Sequence, residues 1–443
     1  MNKIIKFLTA GSVDDGKSTL IGRLLYDTKS LYQDQIAEVK KLGDGKIDYS
    51  LFVEGLESER RQKITIDVAY RYFSHHGNKF IIADAPGHEQ YTKNMAVAAA
   101  NSEIAVILID AVEGLKTQTI RHSYIAHSFG IRNFVVAINK MDLIGYNQEK
   151  FNQIRSEYLN KIKSLKLDDI YFIPISAING DNIASNSDKI DWYKGESLLN
   201  HLISIDIKPK EEQGFRLVVQ NVVKHQNNRL YQGKVIAGKV VVGDEIYIYP
   251  SKKNAKVLEI IHSSKSVNKA VEGESVAIIL DRDIDIDRGS VFSGIDNKPN
   301  FNQELKADLV WFGGAEFNLH SKNELLVKIN HNLIPAKISA INHLVNIDDL
   351  SDYEYHYIEQ NQIANVNIDL AKSVAFDSFK DNKYSGSFLL IDKQSNETLA
   401  CGLIENGKIQ KVVVENNFIS EMSLLIKKHF GENGQALFLK NIL

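Results

Sequence analysis

The chain has 443 residues but a single cysteine, Cys401, and only six prolines. One thiol cannot close an intramolecular disulfide, nor can it supply the several Cys and His ligands of a structural zinc site. No stretch of about 18 uncharged apolar residues occurs, so a membrane-spanning helix is not expected. Met1–Lys6 holds two lysines and some apolar residues, but Lys6 and then Asp14-Asp15 end the run before it could serve as a signal peptide. Charge of one sign is also lacking: 53 Lys plus Arg face 56 Asp plus Glu, for a net charge of −3. No global positive field therefore draws the chain to nucleic acid or anionic lipid. A cytoplasmic protein of about three domains, binding neither nucleic acid nor membrane, is the expectation.

What is present divides by period. From residue 4 to about 203, short β-branched runs (Ile4–Ala10, Phe80–Ala83, Ile104–Ile109, Phe134–Ile138, Tyr171–Ile175) alternate with helical segments such as Lys17–Tyr26 and Gln118–Phe129. That pattern predicts an α/β domain over residues 1–208, a mostly parallel sheet with helices on both faces. The polar stretch Ile207–Gly214 reads as a linker. Beyond it the period becomes two, as in Leu305, Ala307, Leu309 and Trp311, with turn signals at Gly243-Asp244 and Gly289-Ser290. Two β-barrels are expected, over residues 214–297 and 302–443, divided at Asp296–Asn302. An amphipathic helix carrying Phe418, Met422, Leu425 and Ile426 is expected near the end.

Gly11-Ser12-Val13-Asp14-Asp15-Gly16-Lys17-Ser18 fits the phosphate-binding loop pattern and falls between a strand and a helix, where such a loop must be. Its glycines let backbone N–H groups turn toward phosphate oxygens, Lys17 reaches the outer phosphates, and Ser18, followed by Thr19, can ligate Mg²⁺. Asp84 ends a strand, in Asp84-Ala85-Pro86-Gly87-His88, and can hold the same Mg²⁺ through water, while the Gly87 N–H suits a γ-phosphate. Asn139-Lys140-Met141-Asp142 follows another strand. The Asp142 carboxylate can accept from the ring N–H and exocyclic amine of guanine, which adenine cannot offer, and Ser176-Ala177 can give a backbone N–H to the guanine oxygen. Four motifs in this order, each after a strand, specify a GTP site.

These motifs, with Ile64-Thr65-Ile66, resemble those of the translation-factor GTPases, a class with a GTPase domain followed by two β-barrels. The resemblance implies that Thr65 closes on Mg²⁺ when GTP is bound, that His88 positions the attacking water and is the catalytic residue, and that Val13 screens it. Longer stretches, Gly11–Thr28, Ile64–Phe73, Pro86–Met95, Ala307–Trp311 and Asn382–Asp392, are similar to the GTPase (large) subunits of sulfate adenylyltransferases. Lys63, Ala85 and Lys383 depart from the family's usual residues without removing a ligand. Such a subunit is expected to hydrolyse GTP so as to drive formation of adenosine 5′-phosphosulfate and pyrophosphate, made from ATP and sulfate by a separate small adenylyl-transferring subunit. The rival expectation is an elongation-type GTPase that delivers aminoacyl-tRNA.

Other patterns are set aside. Asp281–Asp287 has the carboxylate spacing of a calcium loop, but Ile286 takes the position that needs Gly. His122 and His127, about 140° apart on a helix, do not suit one metal. Gly402–Ile409 spells a partial phosphate loop without the hydroxyl and reads as a turn.

Overall fold

The computed structural model describes residues 3–42, 47–53, 67–167, 169–207, 213–225, 228–319 and 324–405. Thr65 and Lys63 lie outside the described residues, as does the helix expected around Phe418–Ile426.

The first part is a six-stranded sheet. Its strands are β1 (Ile4–Ala10), β2 (Ala69–His75), β3 (Asn78–Asp84), β4 (Ile104–Asp110), β5 (Asn133–Asn139) and β6 (Asp169–Pro174), in the order β2-β3-β1-β4-β5-β6. From β3 to β6 every neighbouring pair is parallel. The edge strand β2 runs antiparallel, joined to β3 by a hairpin whose tip is His76-Gly77, both at positive φ. Parallel strands must be buried on both faces, and β4 is buried at every position. On one face α1 (Lys17–Asp27) contributes Leu20, Ile21 and Leu24, and the last helix, Leu198–Ser204, contributes Leu198, Leu199 and Leu202. On the other, helices Thr92–Ala100, Thr117–Ser128 and Gln148–Lys161 bury Met95, Ile120, Ile125, Phe151 and Ile154.

Two barrels follow. In each, six strands close into a ring because the outer pair also meets: Glu245–Tyr249 pairs with Lys253–His262 in the first, and Leu325–Ile329 with Asn332–Val345 in the second. Closure satisfies the edges that an open sheet leaves unpaired. Strand Asn300–Trp311 of the second barrel starts two residues before the expected boundary at 302. Its Leu305, Ala307, Leu309 and Trp311 point into the barrel core, as the period of two requires. Val310, facing the other way, joins Val345, Leu350, Ile363 and Leu403 in the apolar cluster formed by the three helices above. The second barrel thus shares a core with the sheet domain, and Phe129 meets Phe379 edge-on at 6.0 Å. Between the barrels, Arg216, 4% exposed, forks onto Asp377 at 2.9 and 3.1 Å. All of this belongs to one compact unit.

Gly402 proves to be a strand residue, not part of a turn. It lies in Thr398–Ile404 opposite Leu309 and Phe388, and any Cβ there would collide with the Phe388 ring. The carboxylates of 281–287 do not converge either: Ile284 and Ile286 are drawn into the first barrel's core, and Asp281 is occupied by Arg282. Among the described residues no group of three or more His, Cys, Asp or Glu is placed to hold a metal, and no helix is long and apolar enough to cross a membrane.

Candidate nucleotide site

The sheet order places a topological switch point at β1, which lies between β3 and β4, and α/β folds bind ligands beyond the strand ends at such points. Four strand ends converge there. β1 delivers the loop 11–16 into α1, whose first residue is Lys17; β3 ends on Asp84; β5 ends on Asn139; and β6 leads to Ser176. Each motif residue sits where a strand stops and the backbone must leave the sheet.

The loop 11–16 is shaped by exclusion and by one carboxylate. A Cβ at Gly11 would lie 2.7 Å from the Leu108 carbonyl oxygen, and one at Gly16 (φ 92) would strike the Asn139 amide. Asp14 is exposed and left-handed at φ 65, and Val13 is half-buried with its carbonyl accepting from Lys116 Nζ at 3.5 Å. Asp15 points inward, 1% exposed, and its Oδ2 accepts from the Ser12 N–H at 2.6 Å. Burial pushes the Asp15 carboxyl up to about 6, against the pull of Lys17, Ser12 and Lys116. Lys17 is itself buried, and desolvation holds its ammonium below the usual lysine range, although Asp15 and Asp84 oppose this. Its Nζ donates to the carbonyls of Gly11 and Ser12 at 3.1 and 2.7 Å. Ser18 and Thr19 follow, half-buried, in the first turn of α1.

Asp84 is 1% exposed and takes a hydrogen bond from Thr9 Oγ1 at 3.3 Å. Gly87 abuts the loop, since a Cβ there would hit Lys17 Nζ and stand 3.1 Å from the Gly11 carbonyl oxygen. His88 is half-buried at the start of the 3-10 turn Glu89–Tyr91; its Nδ1 accepts from the Gln90 N–H at 3.5 Å, and its ring meets Tyr91 edge-on at 6.2 Å.

Asn139, 2% exposed, works as a bracket. Its Nδ2 donates to the Asp15 carbonyl at 2.9 Å, and its Oδ1 accepts from the Ala177 N–H at 3.0 Å, so one amide joins loop 11–16 to loop 176–181. The Ser176 N–H donates to the Asp181 carbonyl at 3.2 Å. Lys140, left-handed at φ 61, reaches back so that its Nζ lies 2.7 Å from Asp110 Oδ2. Burial alone would raise the Asp110 carboxyl, but Lys140 and the Val112 N–H outweigh it and hold the group below its ordinary value. Asp142 is half-buried in the 3-10 turn Met141–Ile144 directly after.

One residue of this site escapes motif reading. His122, on helix Thr117–Ser128, is fully buried beneath loop 11–16, where its Nδ1 accepts from the Gly11 N–H at 3.3 Å and its Nε2 lies 2.9 Å from Gln118 Nε2. Burial, aided by Lys17 and Arg121, pushes it down to about 3, so the ring is neutral. The available signal was its place in the buried stripe with Thr119, Ile120, Ser123 and Ile125, where a polar ring needs a partner.

Known proteins resemble this chain along most of its length. Residues 2–259 match the family model for the elongation factor Tu GTP binding domain, and residues 304–405 match the GTP-eEF1A C-terminal domain-like model. Sulfate adenylyltransferase subunit 1 of Saccharophagus degradans is 42% identical over 440 residues, covering 97% of this chain and 93% of that protein. Those of Francisella tularensis subsp. novicida and Aeromonas hydrophila are each 41% identical, over 97% and 99% of this chain and 93% and 94% of theirs. Among solved structures, the crystal structure of bacterial selenocysteine-specific elongation factor EF-Sec aligns with 98% of this chain and 63% of its own at 20% identity, with a TM-score of 0.44.

Proposed function

We propose, from the premise that this chain belongs to the sulfate adenylyltransferase subunit 1 family and is a GTPase forming part of that enzyme, that it couples hydrolysis of GTP to synthesis of adenosine 5′-phosphosulfate by a separate small subunit. That subunit would join sulfate to the adenylyl group of ATP and release pyrophosphate, while this chain converts GTP and water to GDP and phosphate. The observation that carries the nucleotide assignment is the Asn139 bracket. It holds the phosphate loop and the guanine loop at one strand end, so both ends of one nucleotide have a fixed frame.

The role of each side chain follows from its place. Lys17, a buried cation with only two carbonyls and distant carboxylates around it, suits an anionic phosphate chain, which would also restore its affinity for the proton. The loop N–H groups beyond Gly11 and Ser12, which are taken by His122 and Asp15, line the phosphates, and Gly87 offers another to the γ-phosphate. Ser18 and Asp84 form a hard-oxygen donor pair that fits Mg²⁺, with Thr65 completing it. When bound, Mg²⁺ neutralises charge developing on the phosphate oxygens. Asp142 accepts from the guanine edge, and Ser176-Ala177 and Lys140 frame the base. With Nδ1 accepting the Gln90 N–H, His88 keeps Nε2 to hold the attacking water by a hydrogen bond. It therefore places the water, and placement is most of what phosphoryl transfer requires.

The test is the complex co-purified with this chain, with pyrophosphate release from ATP and sulfate followed beside phosphate release from GTP. Pyrophosphate release that needs sulfate and rises with GTP is the expected result. His88→Ala in this chain should abolish the GTP-driven rise while leaving GTP affinity nearly intact. Co-purification with aminoacyl-tRNA, with no effect of GTP on a sulfate-dependent reaction, would overturn the coupling.

A further inference from the structure

Three chain segments meet at one side chain that belongs to none of the motifs. Arg23 lies on α1, which starts at the phosphate loop. Its Nη1 donates to the Ile178 carbonyl at 3.0 Å and to the Tyr49 hydroxyl at 3.3 Å, and its Nε reaches both carboxylate oxygens of Asp27 at 2.9 Å. The guanidinium carbon stands 5.0 Å from the centre of the Tyr49 ring. Ile178 directly follows Ser176-Ala177 in the guanine loop. Tyr49 opens the short helix Tyr49–Phe52, from which the chain runs on toward Thr65.

Two glycines are fitted to this junction. A Cβ at Gly180, whose φ is +81, would collide with the guanidinium, and a Cβ at Gly22 would collide with the Tyr49 carbonyl. The loop and the short helix therefore approach α1 as closely as their backbones permit, and they do so on either side of Arg23. An Arg–Asp pair four residues apart on a helix ordinarily does no more than support that helix. Here Asp27 fixes the fork through Nε, and Nη1 is spent on two other segments. An ammonium, a point charge without the planar fork, cannot span a carbonyl, a hydroxyl and a carboxylate at once.

We infer that Arg23 is a positioning residue that seats the guanine loop against α1 and, through Tyr49, couples that seating to the helix Tyr49–Phe52. The inference rests on the nucleotide reading above and deepens it. The base end of the site, the phosphate end and the helix Tyr49–Phe52 share one mechanical joint, and the side chain at that joint belongs to none of the nucleotide motifs.

The test is a double-mutant cycle of Arg23→Lys and Tyr49→Phe in the full chain, read by the dissociation rate of fluorescent GDP, with thermal unfolding as the control. Arg23→Lys should speed dissociation on the order of tenfold, the loss of one charge-assisted hydrogen bond. Tyr49→Phe, which lies on the other side of the joint from the guanine loop, should speed it about threefold, and the double variant should be no faster than Arg23→Lys alone. A purely structural Arg23 would lower the unfolding temperature and leave dissociation from the folded protein unchanged, and that result overturns the inference. Multiplying effects of the two substitutions would overturn it as well. Failure of the unsubstituted chain to hold GDP would instead strike the nucleotide reading, and the inference with it.

Discussion

His122→Phe tests whether a buried neutral histidine sets the phosphate loop. Phenylalanine keeps an aromatic ring of somewhat larger size but leaves the Gly11 N–H without its acceptor, and the Gln118 amide without its contact, at a fully buried position. An orphaned buried donor costs about 1–3 kcal/mol, which in GDP affinity is a fall of about 5- to 150-fold if the loss is felt at the loop. The pH dependence carries a second signature. The folded-state pKa, about 3, lies below the ordinary histidine value of 6.5, so the unfolded chain binds the proton and the folded one does not. Stability from this group is full above 6.5 and is lost as pH falls from there toward 3. At pH 5 the loss is about 2 kcal/mol relative to pH 7.5, a figure insensitive to the folded value so long as it stays below about 4. His127, also pushed down by burial to about 4, adds its own acid sensitivity, but equally in both proteins. Urea titrations of the parent and variant at pH 7.5 and pH 5 should therefore converge by about 2 kcal/mol on acidification. Parallel pH profiles with unchanged GDP affinity would refute the reasoning.

Two further substitutions probe base recognition and the contact between the barrels. Asp142→Asn should weaken GTP on the order of 100-fold and favour xanthosine triphosphate, whose edge suits an amide; competition binding with an unchanged order of preference would remove Asp142 from base recognition. Asp377→Ala removes the carboxylate from Arg216, which is almost fully buried between the barrels but still donates to Phe215 and Asn297 oxygens, and should cost about 1–3 kcal/mol in urea unfolding. A loss under about 1 kcal/mol would mean that water or other groups solvate the arginine.

How much could be read before the fold was known differs from element to element. The residues at the ends of β1, β3, β5 and β6 were legible because buried parallel strands are continuous apolar runs and the loops after them carry glycine, lysine and carboxylates in fixed order. The barrel strand holding Leu305 to Trp311 was legible from its period of two. Edge strand β2 leaves a fainter trace: its outer face is exposed at Tyr70, Tyr72 and Ser74, and a half-solvated strand has no apolar run to mark its ends. The bracketing by Asn139 was hidden because the motif places it toward a ligand, whereas both of its described bonds are to backbone. His122 belongs to no motif. Its actual partner is 111 positions earlier in the chain, a distance no local pattern spans.

The shared core of sheet domain and second barrel has a consequence for synthesis. Phe129, Phe151 and Tyr158, on or directly after their helices, leave the ribosome early, but the residues that finish their cover, Leu350, Ile363 and Leu403, are translated some 190 to 270 residues later. At about 5–20 residues per second, that apolar face waits on the order of 10–50 s for its lid, longer than most domains of this size need to fold. The nascent chain must carry a finished nucleotide fold with one side unsealed, so this protein's moment of greatest exposure to aggregation comes after its first domain has formed and before strand Thr398–Ile404 has emerged.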